Sequence, residues 1–368
     1  MNILFSFIIM ARNDEYMGNA KWRLETTINF LALELKKLNK LELTEIIIVD
    51  WQSKIPLFSI LDLNEHARKI VRFIVVPFSL SEKVKFDDDF PRSIIMNAGI
   101  RRSKGLFIIQ TLGDVLWTQN TLHTIFNIID NRMEIKTPIE RTLFVFGRKE
   151  IPYEVVRSSP NISFLKDYIK IKGDNLKFYI RPYLLVPADS IMMHRDLWFD
   201  CRAFDETLQH WGWSDCDLIL RLRLRHFILS IHDEKELFVY HLNHISEKDI
   251  IQINTRKTNP QVINPFVVND ENWGLIKYQF EEFPPKTTFT DLAYSATISQ
   301  IINDNYLRKH LINLAKFVLN NITYENVIFA MHFTMLILSH YPKGSIPQKL
   351  YYYLIRIKQL IKPALSEQ

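Results

Sequence analysis

The segment Glu45-Ile46-Ile47-Ile48-Val49-Asp50 sets four aliphatic residues in a row and ends them with an aspartate. A continuous apolar run of this length is typical of a strand that is buried on both faces of a parallel sheet. Similar runs extend over residues 4–10, 71–76 and 106–110. Together these segments predict the strands of one buried sheet.

Helical patterns separate the predicted strands. Residues 22–38 carry their charges on one side, and residues 93–104 are followed by Gly105, a residue type that often closes a helix. Strands that alternate with helices predict an α/β fold, in which helices cover both faces of a mostly parallel sheet. Such sheets bind ligands at the carboxyl ends of their strands, and Asp50 and Asp114 both lie at predicted strand ends.

The composition is that of a globular protein with a mixed surface. Of the 368 residues, 47% are hydrophobic, so the chain can bury a large core without disulfides. Its 46 Lys and Arg against 41 Asp and Glu argue against a nucleic-acid-binding surface, but the net charge of +5 favours small anionic ligands. Cys201 and Cys216 lack metal-ligand spacing and are too few for a disulfide framework, which favours a reducing, cytoplasmic location.

The two ends of the chain carry further signals. Residues 2–10 lack a basic leading region and a cleavage site, so they predict a buried strand and not a signal peptide. No apolar run reaches the roughly 18 residues that a membrane-spanning helix needs. After Pro284-Pro285 the pattern becomes helical, and residues 348–362 are basic and aromatic. We therefore expect a main domain over residues 1–285 and a helical extension over 286–368, with three roles open: shaping the binding site, forming a dimer or contacting a membrane surface.

The segment Trp211-Gly212-Trp213-Ser214-Asp215-Cys216-Asp217 combines two indoles with two carboxylates. Indole rings are flat apolar surfaces that suit stacking on a sugar ring, and a nearby carboxylate could take a proton from a hydroxyl nucleophile. The alternative is a tryptophan-rich loop packed on the core, with aspartates that cap the following helix. For Asp217 both interpretations stay open.

Sequence blocks resemble motifs of the GT-A glycosyltransferases, which use a nucleotide-sugar donor. In chain order, the matching blocks are Ala11-Arg12-Asn13-Asp14, Ile47-Ile48-Val49-Asp50-Trp51, and the segments 97–105, 189–195, 204–206, 211–218, 239–244 and 272–275. The match covers about residues 3–280. It is closest to the inverting, family-two-like group that has a galactosyltransferase-type carboxyl half. The resemblance implies a Rossmann-like sheet, with a nucleotide-binding half over about residues 1–120 and an acceptor half over 121–285.

The resemblance implies that the first half binds the donor. Asp50 resembles the aspartate that accepts a hydrogen bond from the nucleotide base, and a loop-capping aspartate is the alternative. The other expected donor-binding residues are Ala11, Arg12, Asp14, Asn97, Arg101, Arg102 and Asp114. The expected co-substrate is a uridine diphosphate (UDP) sugar, with a guanosine diphosphate (GDP) sugar as the second choice.

A divalent metal, Mn²⁺ or Mg²⁺, is also implied by the resemblance. Asp114 resembles the last acid of the family's Asp-x-Asp motif, but Leu112 stands where the first acid would be. His241 resembles the histidine that completes the metal site, and His244 is its rival within His-x-x-His. Imidazole ligands suit Mn²⁺ better than Mg²⁺.

The resemblance also implies the chemistry of the acceptor side. Asp215 corresponds to the general base of an inverting transfer to a glycan hydroxyl, and Trp211, Trp213 and Asp217 are the expected acceptor-binding residues. The expected activity is that of a hexosyl- or N-acetylhexosaminyltransferase.

Two alternative functions stay open. Leu112 favours a sugar- or nucleotide-binding module without catalysis. A nucleotidyltransferase would need a glycine-rich phosphate loop near the first strand, where the chain has only Gly18. The run Asp87-Asp88-Asp89 predicts a solvated charged segment and not a metal cluster.

Overall fold

The computed structural model describes residues 3–130, 138–179, 189–224, 237–244, 257–259 and 269–284. Apart from Leu224, the described residues belong to one compact unit. The predicted extension over 286–368 and its candidate membrane or dimer surface lie outside the described residues. Among the helices in the described ranges, none combines the length and apolarity that crossing a membrane requires.

The secondary structure alternates between strands and helices along the first part of the chain. In chain order the strands are β1 (Phe5–Ala11), β2 (Thr44–Trp51), β3 (Val71–Val76), β4 (Phe107–Thr111), β5 (Val115–Leu116), β6 (Phe144–Val145), β7 (Gly147–Ile151), β8 (Phe178–Tyr179), β9 (Ile191–His194), β10 (Phe238–Leu242) and β11 (Glu281–Phe283). The helices are α1 (Ala20–Lys37), α2 (Leu57–Ile60), α3 (Glu65–Ile70), α4 (Arg92–Arg101), α5 (Gln119–Ile129), α6 (Tyr153–Val156), α7 (Ile162–Lys172), α8 (Arg195–Asp200) and α9 (Ser214–Leu224). The four strands predicted from apolar runs correspond to β1, β2, β3 and β4.

Two sheets organise the described residues. The main sheet has the order β11-β3-β2-β1-β4-β9-β6, in which β3, β2, β1 and β4 are mutually parallel. The pairs of β11 with β3, of β9 with β4 and of β6 with β9 are antiparallel. A smaller sheet has the order β5-β10-β7-β8. The predicted α/β class, with a mainly parallel central sheet flanked by helices, is confirmed.

Side chains of the central strands pack into a core on each face of the main sheet. Ile8, Ile47 and Val49 contribute to the core that includes the residues of α4. Phe7 and Ile48, which alternate with them, contribute to the opposite core, which includes residues of α1 and α5. Strand side chains alternate between faces, and full burial of each isoleucine contributes about 1.5–3 kcal/mol. The unbroken apolar runs are therefore explained by burial on both faces.

One predicted helix boundary is wrong. α4 ends at Arg101 and not near residue 104, because the backbone of Arg102 leaves the helical conformation, with φ −99° and ψ 4°. The Arg102 guanidinium donates to the carbonyl oxygens of Gly274, Leu275 and Tyr278 at 2.6–2.9 Å. Gly105 does not cap this helix. A Cβ atom at Gly105 would lie 2.5 Å from a backbone nitrogen of β1, so glycine is needed there for close approach of the two segments.

Candidate functional site

A cleft of about 1140 Å³ opens beside the carboxyl ends of β1 and β4. Ala11 ends β1 and lines the cleft, and Asp114 lines it from the turn after β4. His241 on β10 and His244 just after it line the same cleft. The position agrees with the rule that open parallel sheets bind ligands at their carboxyl edge.

Pairing between strands brings Asp114 to the histidines. His241 pairs with Val115 in the antiparallel contact of β10 and β5, and the Leu242 N–H donates to the Asp114 carbonyl oxygen at 2.8 Å. Asp114 Oδ2 lies 3.6 Å from His241 Nε2 and 3.3 Å from His244 Nδ1. One donor atom from each of the three side chains lies within 4.8 Å of the others, a spacing compatible with a shared metal ion.

His241 is oriented by Glu150, which is itself paired with Arg148. β7 runs parallel to β10 and sets Glu150 beside His241, where Glu150 Oε2 lies 2.8 Å from His241 Nδ1. Arg148 forms ion pairs of 2.6 Å with both Glu150 and Asp189. Since an ionised Glu150 only accepts, Nδ1 carries a proton and Nε2 is the ring atom that approaches Asp114.

Burial and neighbouring charges shift the pKa values of Asp114, His241 and His244. Burial opposes charge on His241, but the carboxylates of Asp114 and Glu150 outweigh burial and raise the pKa of His241 to about 10. Burial would raise the pKa of Asp114, yet His241, His244 and Arg23 hold it well below its usual range. Burial lowers the pKa of His244 to about 4, so this imidazole is neutral at pH 7. Asp114 is therefore ionised and His244 has a lone pair to donate, whereas His241 is protonated at pH 7 without a metal ion and would release its Nε2 proton on binding one.

The residues present fit a divalent cation. Asp114 Oδ1 is buried and has no hydrogen-bond partner among the described residues, and a bound cation would satisfy such an oxygen. One carboxylate and two imidazoles form a mixed O/N donor set of the kind that suits Mn²⁺ better than Mg²⁺. Leu112 also lines the cleft but packs against the core, so the third donor to a cation would be the second histidine and not a side chain at position 112.

Part of the predicted donor set lies in the cleft wall. Ala11, Arg12 and Asp14 line it beside the candidate metal centre. Arg12 pairs with Asp14 at 2.7 Å and with Asp89 at 3.2 Å. This loop is thus held in place by charge pairing across the cleft wall.

Asp50 is fully buried at the end of β2 and is not one of the described residues that line the cleft. Burial raises its pKa, and hydrogen bonds from Ser53 Oγ and from the Leu57 N–H oppose this effect. Ser53 in turn accepts a hydrogen bond of 2.7 Å from the Asn13 N–H. Asp50 therefore supports the loop that lines the cleft, and its contact with a nucleotide base stays a prediction.

The other predicted donor residues, Asn97, Arg101 and Arg102, lie in the second half of α4 or directly after it, outside the described cleft wall. Asn97 is buried and donates to the carbonyl oxygen of Phe204 at 2.8 Å. The Arg101 guanidinium lies 4.7 Å from the centre of the Trp273 ring. With Arg102 bound to carbonyl oxygens, these side chains tie α4 to neighbouring loops, and their donor contacts stay predictions.

The segment Trp211–Asp217, which was predicted to bind the acceptor, has an exposed part and a buried part. Trp211 is 43% exposed and lines the cleft, whereas Trp213 adopts a positive φ of 67° and is partly buried outside the described cleft wall. Asp215 is partly buried in the first turn of α9. Asp217 is completely buried and pairs with Arg221 at 2.7 Å. This burial leaves Asp217 no surface for an acceptor. Asp217 does lie in the first turn of α9, as the alternative interpretation has it, but its Oδ2 is bound by Arg221 and its Oδ1 has no hydrogen-bond partner among the described residues.

Several cleft residues were not predicted. Arg23 lines the cleft and donates to the carbonyl oxygens of Tyr16, at 2.8 Å, and of Gly18. Asp88 lines it with His210, so the expectation of a solvated acidic run is wrong for Asp88. The position of His210 next to Trp211 was an available signal, whereas no sequence pattern marks Arg23.

Comparisons with known proteins find no matching family model and no matching curated protein. Among solved structures, that of S. aureus TarS 1–349 is similar, with a TM-score of 0.42 and 17% identity over 65% of this chain and 60% of that chain. Its complex with UDP gives a TM-score of 0.41 and 16% identity over 68% and 63% of the two chains. Its complex with UDP-GlcNAc gives 0.41 and 15% over 67% and 60%. This chain therefore covers less than two thirds of each of these structures.

Proposed function

We propose that this protein is a glycosyltransferase that moves a sugar from a nucleotide-diphosphate donor to a glycan hydroxyl with inversion. The observation that carries the proposal is the group formed by Asp114, His241 and His244 in the cleft at the carboxyl edge of the sheet. At about 1140 Å³ the cleft has room for a nucleotide sugar, since small-molecule sites usually occupy about 300–1,000 Å³.

In this proposal the donor diphosphate lies beside the candidate metal centre. A divalent ion held by Asp114, His241 and His244 would stabilise the negative charge that develops on the leaving diphosphate. The guanidinium groups of Arg12 and Arg23 line the same cleft and would add positive charge there. A UDP-sugar is our first choice of donor and a GDP-sugar the second, and the transferred group is a hexose or an N-acetylhexosamine.

Inversion requires attack by a hydroxyl on the face opposite the diphosphate. The acceptor oxygen bonds to the anomeric carbon, the bond from that carbon to the diphosphate breaks, and the electron pair leaves with the diphosphate. We assign the general base to Asp215, which would take the hydroxyl proton, and the stacking surface for the acceptor to Trp211. The 43% exposure of Trp211 in the cleft wall supports this surface.

The domain assignment is part of the proposal. Residues 1–285 would form the catalytic domain, with a nucleotide-binding half over about 1–120 and an acceptor half over 121–285. Residues 286–368 would be an extension that acts in membrane contact or dimer formation.

A binding module without catalysis is the second candidate, because Leu112 leaves Asp114 as the one carboxylate in the group of candidate ligands described. Nucleotide release distinguishes the two candidates. The full chain is incubated with UDP-N-acetylglucosamine, UDP-glucose and GDP-mannose, each with Mn²⁺ or with EDTA, and free nucleotide diphosphate is measured. UDP-N-acetylglucosamine is included because one of the similar structures holds it.

For the enzyme we expect release from at least one donor, and a loss of about 10²-fold or more in Asp215→Asn with unchanged donor affinity. Asp196→Asn is the matched control, because Asp196 also lies in the first turn of a helix and its side chain is 59% exposed. Donor binding without release by the wild-type chain would instead establish the binding module.

A further inference from the structure

Residues 210–212, at the start of the segment predicted to bind the acceptor, are fixed by one buried asparagine, Asn259. Asn259 Oδ1 accepts a hydrogen bond of 2.8 Å from the His210 N–H, and Asn259 Nδ2 donates to the carbonyl oxygens of His210 and Gly212 at 2.7 and 2.6 Å. The Asn259 N–H also donates to the Trp211 carbonyl oxygen at 3.1 Å. Residues 210–212 are therefore held in a defined conformation although they belong to a loop.

His210 is further oriented by a carboxylate. Its Nδ1 lies 2.8 Å from Asp88 Oδ2, and the side chains are 11% and 27% exposed. Burial would raise the pKa of Asp88, but several opposing contacts, among them the hydrogen bonds from His210 and from the Phe90 N–H, together outweigh burial and lower the pKa. An ionised carboxylate only accepts hydrogen bonds, so the Nδ1 atom carries a proton, and in the neutral form of the ring the lone pair is on Nε2.

The loop that holds Asp88 is anchored on the donor side of the cleft. The neighbouring residue Asp89 pairs with Arg12, and its carbonyl oxygen accepts a hydrogen bond of 2.8 Å from Trp51 Nε1. Asp88, His210 and Trp211 all line the cleft, so an oriented imidazole and an exposed indole are neighbours in one wall.

We propose that His210, held by Asp88, is an acceptor-binding residue whose Nε2 accepts a hydrogen bond from a hydroxyl of the sugar that stacks on Trp211. The ligand class is a neutral pyranose, because the wall offers a flat apolar face together with one fixed hydrogen-bond acceptor. This inference rests on the proposed function for its link to catalysis, but sugar binding at this wall is testable without catalysis. Asp88 is a positioning residue in this scheme, since it acts through the imidazole.

The first test measures binding alone. Methyl glycosides of glucose, galactose and N-acetylglucosamine are titrated against the full chain and followed by saturation-transfer NMR and tryptophan fluorescence. We expect at least one glycoside to bind, and His210→Gln to weaken its affinity by roughly 3- to 10-fold, the usual effect of one hydrogen bond. His123→Gln is the matched control, because His123 is exposed on α5 outside the described cleft wall.

The result that overturns the proposal is a wild-type chain that binds none of these glycosides, or a His210→Gln variant that binds them as tightly as wild type. The affinity for UDP-N-acetylglucosamine should be unchanged in the variant. A selective loss of donor affinity would place His210 on the donor and also overturn the proposal.

The second test reads the tautomer of His210 directly. In a chain labelled with ¹⁵N-histidine, long-range proton–nitrogen spectra should show the Nδ1–H form at His210, assigned by its loss in His210→Gln. Asp88→Asn should introduce the Nε2–H form, because an amide can serve either tautomer. An Nε2–H form in the wild-type chain contradicts the proposed role of Asp88.

Once nucleotide release is established, steady-state kinetics test whether His210 and Asp88 contribute to sugar transfer. With the bound glycoside as acceptor, His210→Gln and Asp88→Asn should raise the acceptor KM by roughly 3- to 10-fold and change kcat much less. A loss confined to kcat would overturn the binding role. If no donor is turned over, the proposed transferase function fails, whereas the binding and tautomer results still decide the role of His210.

Discussion

Asp114→Asn is the sharpest test of the candidate metal centre, because it removes one negative charge and keeps the size of the side chain. Asp114 Oδ2 lies 3.6 Å from His241 Nε2 and 3.3 Å from His244 Nδ1, and Asp114 Oδ1 has no hydrogen-bond partner among the described residues. An asparagine there would offer a neutral oxygen to a cation, and its amide protons would compete for the same space. We therefore expect the variant to fold and to bind Mn²⁺ at least 100-fold more weakly, an order-of-magnitude expectation for loss of an anionic ligand.

The expected change in stability follows from the rule that a ligand which binds only the folded protein stabilises it. At a Mn²⁺ concentration of about 100 times the wild-type Kd, binding stabilises the folded wild type by about 2.7 kcal/mol. With a Kd that is about 100-fold weaker, the same concentration stabilises the variant by only about 0.4 kcal/mol. Each kcal/mol shifts the Tm of a domain of this size class by about 2–4 °C, so we expect a rise of roughly 5–10 °C for wild type and of roughly 1–2 °C for Asp114→Asn.

The assay is a thermal melt of metal-free protein with and without MnCl2, at concentrations set by calorimetric titration of the wild type. Asp62→Asn is the matched control, because the Asp62 side chain is 91% exposed, and it should show the full rise of the wild type. An equal Mn²⁺-dependent rise in wild type and Asp114→Asn would refute the assigned ligand. The absence of any rise in the wild type would refute the metal centre itself.

Three further predictions concern a glycine at a close backbone contact, a buried core isoleucine, and the exposed indole of Trp211 in the cleft wall. Gly274→Ala should destabilise the protein by about 1–3 kcal/mol in chemical denaturation, because the backbone has a φ of 70° and the new Cβ would lie 2.7 Å from a carbonyl oxygen. Gly212→Ala, with a φ of 80° and nothing within 4 Å of the new Cβ, should cost only about 1 kcal/mol. Ile47→Ala should lower the free energy of unfolding by about 2–5 kcal/mol, whereas Ile171→Ala, at a side chain that is 71% exposed, should change it by less than about 0.5 kcal/mol. Trp211→Ala should weaken glycoside binding by about 0.5–1.5 kcal/mol and leave donor affinity unchanged, which parallel titrations with both ligands would show.

The four parallel strands of the main sheet were predictable because their signal is local. An apolar run such as residues 46–49 requires burial on both faces wherever it lies in the chain, and β2 has that burial on every residue. The end of α4 was not predictable from its own segment. The residue after it, Arg102, binds carbonyl oxygens more than a hundred residues later in the chain, a contact that no local pattern shows.

The candidate site likewise combines residues that the sequence indicated with contacts that only the folded structure shows. The resemblance named Asp114 and left His241 and His244 as rivals, and the structure brings both histidines to Asp114 because β10 pairs with β5. The same resemblance placed Asp217 at the acceptor, but the structure buries it against Arg221, whose guanidinium also binds the carbonyl oxygens of Cys201 and Ala203.

The amino-acid sequence alone determined the α/β class and the positions of the four central strands, since both depend on residue patterns within short segments. It also showed which acids follow those strands. Only the tertiary structure decided which polar side chains share the cleft. Glu150 meets His241, and Asp88 meets His210, through contacts between elements far apart in the chain. Such contacts depend on strand register and loop packing, because a shift of one residue along a strand turns a side chain to the opposite face of the sheet.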